Sequence, residues 1–156
     1  MIYVFDTNAF SQLFHSYYRD RFPTLWAQFD QLIENQVITS TREVSREIND
    51  DRVKTLREWA KDKKELFPTP TITEAQFVAR IFEVHHFQQA IEKKKLLKGG
   101  KNADPFVVAR AYVLKAAVVT MESKPKNGVK IPNICEYFKI DCTSLEGFME
   151  RENWLF

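Results

Sequence analysis

The chain has 156 residues, a length that suits one folded domain large enough to bury a substantial core without metal or disulfide staples. Hydrophobic residues make up 44% of it and charged residues 28%, a profile that excludes the disordered and fibrous classes. The net charge of +2 is too small to establish a nucleic-acid partner by itself. We therefore expect a single domain over residues 1–156.

The sequence predicts a cytoplasmic protein whose two cysteines are buried thiols. Its apolar pattern begins at the first residue, which leaves no room for a secretory leader, and no apolar run approaches the roughly 18 residues of a membrane span. No membrane partner is expected. Cys135 and Cys142 have no matching Cys or His pair nearby, so the spacing favours neither a zinc site nor a disulfide framework.

Short apolar runs that read as strands alternate with helical patterns in the first half of the chain. The predicted elements are a strand over 2–5, a helix carrying Phe10, Leu13 and Phe14, an amphipathic helix over 22–35, a strand at 37–38, and helices over 42–50 and 52–65. Thr39, Ser40 and Thr41 supply potential caps before the helix at residue 42.

The alternation continues in the second half. The predicted elements are a long helical region over 73–97, read as one or two helices, an apolar helix opening at Asp104-Pro105, a central strand over 116–120, a short helix from Pro132, an edge strand over 140–142, and a last helix opened by a Thr143-to-Glu146 capping box. Strands that alternate with helices favour a parallel sheet covered on both faces. We therefore expect an α/β fold, a three-layer α/β/α sandwich.

Acidic side chains follow the predicted strands or open the predicted helices. Asp6 ends the first strand, Glu122 comes shortly after the 116–120 strand, Asp104 opens a helix, and Glu43 and Glu47 lie one turn apart near another helix start. Strand ends and the helix starts that follow them share one edge of a parallel sheet. We therefore expect these acids to converge.

Each acid also has an ordinary structural reading. Asp6 or Asn8 would cap the first helix, and Asp104 would cap the helix that has Pro105 in its first turn. Glu43 would form a surface pair with Arg46, and an acid in the polar loop at Glu122 needs no special reason. The case for a site therefore depends on the acids acting together.

Converging carboxylates need a cation or a proton. Two carboxylates about 5 Å apart repel by roughly 3 kcal/mol at an effective dielectric near 20. Oxygen ligands without histidine or cysteine suit Mg²⁺ or Mn²⁺. The pattern therefore predicts a magnesium or manganese site.

Basic residues are unevenly placed. One group surrounds Gly99-Gly100 and consists of Lys93, Lys94, Lys95, Lys98 and Lys101, and a second consists of Lys61, Lys63 and Lys64. Such groups contact nucleic-acid phosphates in many proteins. The alternative for the first group is a solvated helix end, where lysines interact favourably with the helix dipole and glycine stops the helix.

The order of acids along the chain resembles that of the PIN-domain (VapC-like) ribonucleases, in the form of a prokaryotic PIN-like subfamily. The matching segments cover nearly the whole chain: Val4-Phe5-Asp6-Thr7-Asn8, Ser40 to Glu47-Ile48, Ala103-Asp104-Pro105-Phe106-Val107-Val108-Ala109, Val118-Val119-Thr120-Met121-Glu122, and Lys130 to Cys135. The chain departs from the family pattern at Glu122, where Asp is more common.

The resemblance implies a metal-dependent ribonuclease that serves as the toxin of a bacterial toxin-antitoxin pair. Asp6 and Asp104 would be the principal ligands of Mg²⁺ or Mn²⁺, with Glu47 and Glu122 completing the catalytic cluster. Asn8 and Thr120 would lie beside the cluster and orient its carboxylates or the substrate. The implied partners are an RNA substrate, guided by the lysines at 93–101, a cognate antitoxin and a second copy of the chain.

Two other function classes remain open at this stage, as does the number of metal ions. One is a noncatalytic PIN-like module that binds RNA or protein, which the departure at Glu122 permits. The other is a phosphatase of the haloacid-dehalogenase type, which also opens with a strand ending in Asp. That chemistry usually requires a second Asp two residues later, where this chain has Asn8.

Overall fold

A computed structural model describes residues 1–97 and 99–156 and has a parallel sheet at its centre. The strands are Tyr3–Phe5 (β1), Ile38–Thr39 (β2), Ala117–Val119 (β3) and Cys142–Thr143 (β4), in the spatial order β2-β1-β3-β4. They pair in parallel, with Tyr3 opposite both Ile38 and Ala117. The inner strands β1 and β3 are fully buried, as expected for short, continuous apolar runs.

Helices connect the strands. They are Thr7–Ser16 (α1), Pro23–Glu34 (α2), Arg42–Ile48 (α3), Lys54–Lys61 (α4), Ile72–Glu83 (α5), His85–Leu97 (α6), Asp104–Leu114 (α7), Ile131–Phe138 (α8) and Leu145–Arg151 (α9). In the described part of the chain, no helix combines the length and the hydropathy needed to cross a membrane.

Aromatic packing covers one face of the sheet. Alternate residues of a strand point to the same face, so Tyr3 and Phe5 project together. The Phe5 ring lies 5.1 Å from that of Phe10 on α1, 6.1 Å from that of Phe29 on α2 and 5.0 Å from that of Phe148 on α9, measured between centroids. These helices form the first outer layer.

The second outer layer is built on α7. This helix packs against β1 and β3, and it in turn contacts α5 and α8, while α6 packs against α5. The residues of α7 that are buried include Val107, Val108, Ala109 and Ala111, which explains why its sequence is apolar nearly all round. The three-layer α/β/α architecture with a parallel sheet, expected from the sequence, is confirmed.

Several element boundaries differ from the sequence-based predictions. The region 73–97 forms two helices that meet at Val84, and the helix predicted over 52–65 is replaced by α4 and a short 3₁₀ turn at Lys64–Leu66. The predicted cap at Thr143 is wrong, because Ser144 caps α9 by accepting a hydrogen bond from the Gly147 N–H at 3.0 Å. Thr143 instead belongs to β4.

The cysteines differ in burial. Cys135 is buried as predicted, whereas the prediction for Cys142 is wrong, since that residue is only half-buried. Cys142 lies on β4, an edge strand, where the sheet covers it from one side only. Both thiols are free.

A buried ion pair fixes α7 against its neighbours. The Arg110 guanidinium donates to Glu74 Oε2 on α5 at 3.3 Å, and it donates to Thr39 Oγ1 on β2 from Nε at 3.2 Å and from Nη2 at 2.9 Å. Only 15% of the Arg110 side chain and 2% of the Glu74 side chain are exposed. One side chain therefore joins α7, which begins at Asp104, to both α5 and the sheet.

Candidate metal centre

The acidic side chains meet at the carboxyl edge of the sheet. Asp6 directly follows β1, Glu122 follows β3, and Asp104 is the first residue of α7. One carboxylate oxygen from each of these three residues lies within 4.8 Å of the other two. Elements far apart in sequence thus bring three negative charges to one place.

Hydrogen bonds fix the orientation of Asp6. Its Oδ1 accepts from the Thr7 N–H at 2.8 Å, which makes Asp6 the N-cap of α1, and its Oδ2 accepts from Thr120 Oγ1 at 3.0 Å. Asp6 therefore caps α1, as the sequence indicated that it could, and also contributes a carboxylate to the acidic cluster. Asp6 is only 3% exposed.

Asp104 does not cap α7, so that sequence-based interpretation is wrong. It occupies the first helical position, and the N-cap is Ala103. Asn102 supplies the local bond instead, since its Oδ1 accepts from the Asp104 N–H at 3.1 Å. The Asp104 carboxylate is thereby directed toward the acidic cluster, where it accepts from the Lys94 ammonium.

Glu122 is held on both sides. Its Oε2 accepts from the Ile131 N–H at the start of α8 at 2.9 Å, and its backbone N–H donates to Thr120 Oγ1 at 3.2 Å. Its Oε1 accepts from Lys94 Nζ at 3.1 Å. The long side chain of Glu122 therefore reaches the cluster from the loop after β3.

Glu47 lies beside the cluster and forms hydrogen bonds to residues next to Asp6 and Asp104. Its Oε1 accepts from Thr7 Oγ1 at 2.6 Å, and its Oε2 accepts from the Ala103 N–H at 3.3 Å. The carboxylate thus joins α3 to the start of α1 and to the residue before Asp104. Among the described residues, the three-acid group with oxygens within 4.8 Å does not include Glu47.

The residues predicted to support the site divide into two groups. Thr120 is buried and contacts Asp6, and Asn8 Oδ1 accepts from the Met121 N–H at 2.9 Å, so Asn8 holds the loop that leads to Glu122. Glu43 is not brought to the cluster. It pairs with Arg42 at 2.7 Å and with Arg46 at 3.3 Å, one turn before Glu47 on the same face of α3.

The lysines of the predicted phosphate-binding group occupy different surroundings. Lys93 and Lys95 are exposed, Lys94 contacts the acids, and Lys101 pairs with Asp50 at 2.7 Å. Lys98 lies outside the described residues. The second group, Lys61, Lys63 and Lys64, lines a separate cleft of about 830 Å³.

An open cleft of about 480 Å³ leads to the acids. Its walls come from α1, from the end of α3 and the loop after it, and from the loop before α7. The lining residues are Asp6, Thr7, Asn8, Ser11, Glu47, Asp50, Asp51, Arg52, Lys101, Asp104 and Glu122. Among the described residues, six carboxylates and two cationic side chains line the cleft, so its charge favours a cation as ligand.

Burial and charge act together on Asp6. Burial raises the pKa of Asp6 well above its usual range, and the charges of Asp104, Glu122 and Glu47 raise it further. For Lys94, burial by itself lowers the pKa, but the contacts with Asp104 and Glu122 outweigh that effect and the pKa is raised. The cluster therefore favours binding a cation or retaining a proton.

The raised pKa of Asp6 predicts how stability depends on pH in the metal-free protein. The folded state holds a proton on Asp6 at pH values where the unfolded chain, with an ordinary Asp pKa of about 3.9, has lost it. The free energy of unfolding should therefore fall as pH rises from about 4 through the raised pKa. Urea unfolding in EDTA at a series of pH values should show this fall in the wild type and a smaller fall in Asp6→Asn. An identical pH dependence in both proteins would contradict the assignment.

The donor set fits a hard divalent cation. All ligands offered by Asp6, Asp104 and Glu122 are carboxylate oxygens, the type preferred by Mg²⁺ and Mn²⁺. Oxygens on opposite sides of a Mg²⁺ octahedron are roughly 4.2 Å apart, twice the usual ligand distance of about 2.1 Å. Neighbouring oxygens of the octahedron are roughly 3.0 Å apart, so the three carboxylates, whose oxygens lie within 4.8 Å of one another, would have to close in around the ion.

Two residues that contribute to the site were not predicted from the sequence. Thr7 donates to both Asp6 and Glu47, and its position directly after a capping Asp was the available signal. The contact of Lys94 with the cluster was also missed. Lys94 follows Phe87 and Ile91 at helical spacing, and both of those residues are buried, so the inward face of α6 was readable from the sequence.

The fold and the site define an α/β protein with a buried acidic cluster at the carboxyl edge of a parallel sheet. The chain belongs to the family DUF4411, described as a domain of unknown function, whose model matches residues 3–156. Among solved structures, it is similar to the crystal structure of VapBC2 from Rickettsia felis bound to a DNA fragment from their promoter. The identity is 14%, the coverage is 92% of this chain and 98% of that chain, and the TM-score is 0.49. No match was found among curated proteins.

Proposed function

We propose that residues 1–156 form a single PIN-like nuclease domain, an endoribonuclease that depends on Mg²⁺ or Mn²⁺ and hydrolyses RNA phosphodiester bonds. The observation that carries the proposal is the convergence of Asp6, Asp104 and Glu122, whose oxygens lie within 4.8 Å of one another beside an open cleft. The order of these acids along the chain, which resembles that of PIN-domain ribonucleases, supports the same conclusion.

In this proposal Asp6, Asp104 and Glu122 hold the metal ion, and Glu47 acts from beside them. A divalent ion supplies activation of a water for attack on phosphorus and compensation of charge on the phosphate oxygens. Thr120 and Thr7 keep the carboxylates oriented through the hydrogen bonds to Asp6 and Glu47. The products would carry 5′-phosphate and 3′-hydroxyl ends.

The substrate is RNA that enters the cleft by its phosphate backbone. Arg52 and Lys101 line the cleft, where RNA phosphates would compete with Asp50 for Lys101, and the exposed Lys93 and Lys95 add positive charge on α6. Such side chains neutralise phosphates without reading sequence, so they steer the backbone toward the acids. Cleavage is therefore expected to weaken as salt concentration rises.

The biological role that we propose is that of a cytoplasmic toxin in a bacterial toxin-antitoxin pair. The resemblance to VapC-like ribonucleases supports this role, and it also favours an antitoxin partner and a homodimer. A small gene directly adjoining the coding sequence would agree with this role.

A noncatalytic PIN-like module is the second candidate, and the occupation of two acids by Lys94 favours it, since an ammonium already balances part of the cluster's charge. A phosphatase of the haloacid-dehalogenase type ranks lower. The position that would carry its second Asp is Asn8, whose side chain is engaged with the Met121 backbone.

Cleavage of RNA with and without metal tests the proposal. The purified protein should cut single-stranded or structured RNA in Mg²⁺ or Mn²⁺ and should be inactive in EDTA. Metal at 100 times its Kd should also raise the free energy of unfolding by about 2.7 kcal/mol. Absence of both cleavage and metal-dependent stabilisation would favour the noncatalytic module.

A further inference from the structure

The Lys94 side chain reaches into the acidic cluster. Its Nζ donates to Asp104 Oδ2 and, at 3.1 Å, to Glu122 Oε1. Both acceptors belong to the group of three carboxylates whose oxygens lie within 4.8 Å of one another. The ammonium therefore uses the same residues that would hold a divalent cation.

The packing of α6 directs Lys94 inward while its neighbours point to solvent. Phe87 and Ile91 are buried, and Lys94 follows Ile91 by three residues on the same face of the helix. The Lys94 side chain is 29% exposed, whereas Lys93 and Lys95 are exposed to solvent. Of the three consecutive lysines on α6, Lys94 is therefore the one whose side chain points toward the acidic cluster.

Lys94 and a divalent ion cannot use these carboxylates in the same way at the same time. A Mg²⁺ ion requires oxygens at about 2.1 Å, whereas an ammonium holds its acceptors at about 2.8 Å and repels the ion by its own charge. The lysine has a long, flexible stem, so its ammonium can move to solvent without a change in the strands.

We propose that Lys94 is a built-in counter-ion of the metal-free state, which a divalent cation must displace from Asp104 and Glu122 in order to bind. This inference rests on the proposed metal site. Its consequence is regulatory: the lysine lowers the affinity for metal and makes occupation of the site depend on metal concentration. It also offsets part of the repulsion among the three carboxylates when no metal is bound.

Metal affinity of matched lysine variants tests the proposal. Mn²⁺ is titrated calorimetrically into the wild type, Lys94→Met, Lys93→Met and Asp104→Asn, with circular dichroism to establish folding. Lys93→Met removes the same charge from the same helix without touching the described acids. We expect Lys94→Met to bind Mn²⁺ about tenfold more tightly than the wild type, as for a typical coupling between two sites, and Lys93→Met to bind as the wild type does. Lys94→Arg, which keeps the charge, should stay close to the wild type.

The outcomes separate this inference from the proposed function. Equal Mn²⁺ affinity in the wild type and in Lys94→Met, lost in Asp104→Asn, would overturn the counter-ion role and leave the metal site standing. Weaker binding in Lys94→Met would also overturn it, because the lysine would then help to build the site. Binding by Lys94→Met alone would support the counter-ion role strongly. Absence of binding in every protein would overturn both proposals.

Discussion

Asp6→Asn and Asp104→Asn are each expected to reduce RNA cleavage by at least about 10³-fold while the protein stays folded. A bound divalent ion contributes several kcal/mol of transition-state stabilisation, and each 1.36 kcal/mol corresponds to a factor of ten in rate. Replacing a carboxylate by a carboxamide of the same shape removes the ligand charge but keeps the side chain's volume. The measurement is the single-turnover cleavage rate of a labelled RNA in Mg²⁺, with circular dichroism as the check of folding.

Helix α3 offers a matched control for this experiment. Glu47 lies beside the cluster, and Glu43, one turn earlier on the same helix, pairs with Arg42 and Arg46 instead. Glu47→Gln should therefore slow cleavage, whereas Glu43→Gln should leave the rate within a factor of about two, as for a surface substitution. Full activity in Asp6→Asn or Asp104→Asn would dismiss the proposed site.

Arg110→Met is expected to lower the free energy of unfolding by about 3 to 5 kcal/mol, the usual cost of removing one partner of a buried ion pair. Glu74 is 1% exposed, and its Oε1 has no hydrogen-bond partner within the described residues. Loss of the guanidinium would leave this carboxylate buried without its cation and would also remove both hydrogen bonds to Thr39. Urea unfolding at neutral pH measures the effect.

Two further variants identify the cause of that loss. Arg110→Met combined with Glu74→Leu should recover most of the stability, because no buried charge is left unpaired. Arg80→Met removes an arginine of α5 whose guanidinium lies 5.0 to 5.8 Å from the rings of Phe77, Tyr112 and Phe138 and donates to Tyr112 Oη at 3.2 Å. It should cost less than Arg110→Met, because it leaves no buried charge unpaired. If the double variant is no more stable than Arg110→Met alone, the unpaired charge is not the cause.

Much of the architecture could be predicted because its signals are local. The runs that became β1 and β3 are short, apolar and bounded by polar residues, and the apolar surface of α7 required burial on several sides. The exact ends of the helices and strands were harder to predict. The choice between Thr143 and Ser144 as a cap depends on where β4 ends, which is set by its pairing with β3 and not by the cap residues themselves.

The position of the acids followed from topology, but their individual contacts did not. A parallel sheet brings Asp6, Asp104 and Glu122 to one edge, and that rule needs only the order of elements. Glu43 and Glu47 share one face of α3, so their spacing does not say which of them reaches the cluster. Glu43 pairs with two arginines, whereas Glu47, one turn further along, contacts Thr7 and Ala103. The contact of Lys94 was not predicted because the run of lysines was interpreted as solvated, although the apolar Phe87 and Ile91 mark the inward face of α6.

Crystals of the wild type soaked in Mn²⁺ would test the central claim most directly. The anomalous difference map is expected to show a peak bounded by the carboxylates of Asp6, Asp104 and Glu122, with Lys94 Nζ withdrawn from Asp104. The peak should be absent from Asp104→Asn crystals soaked in the same way. A wild-type map with no Mn²⁺ peak at these three carboxylates, or with peaks only at other positions on the molecule, would contradict the account.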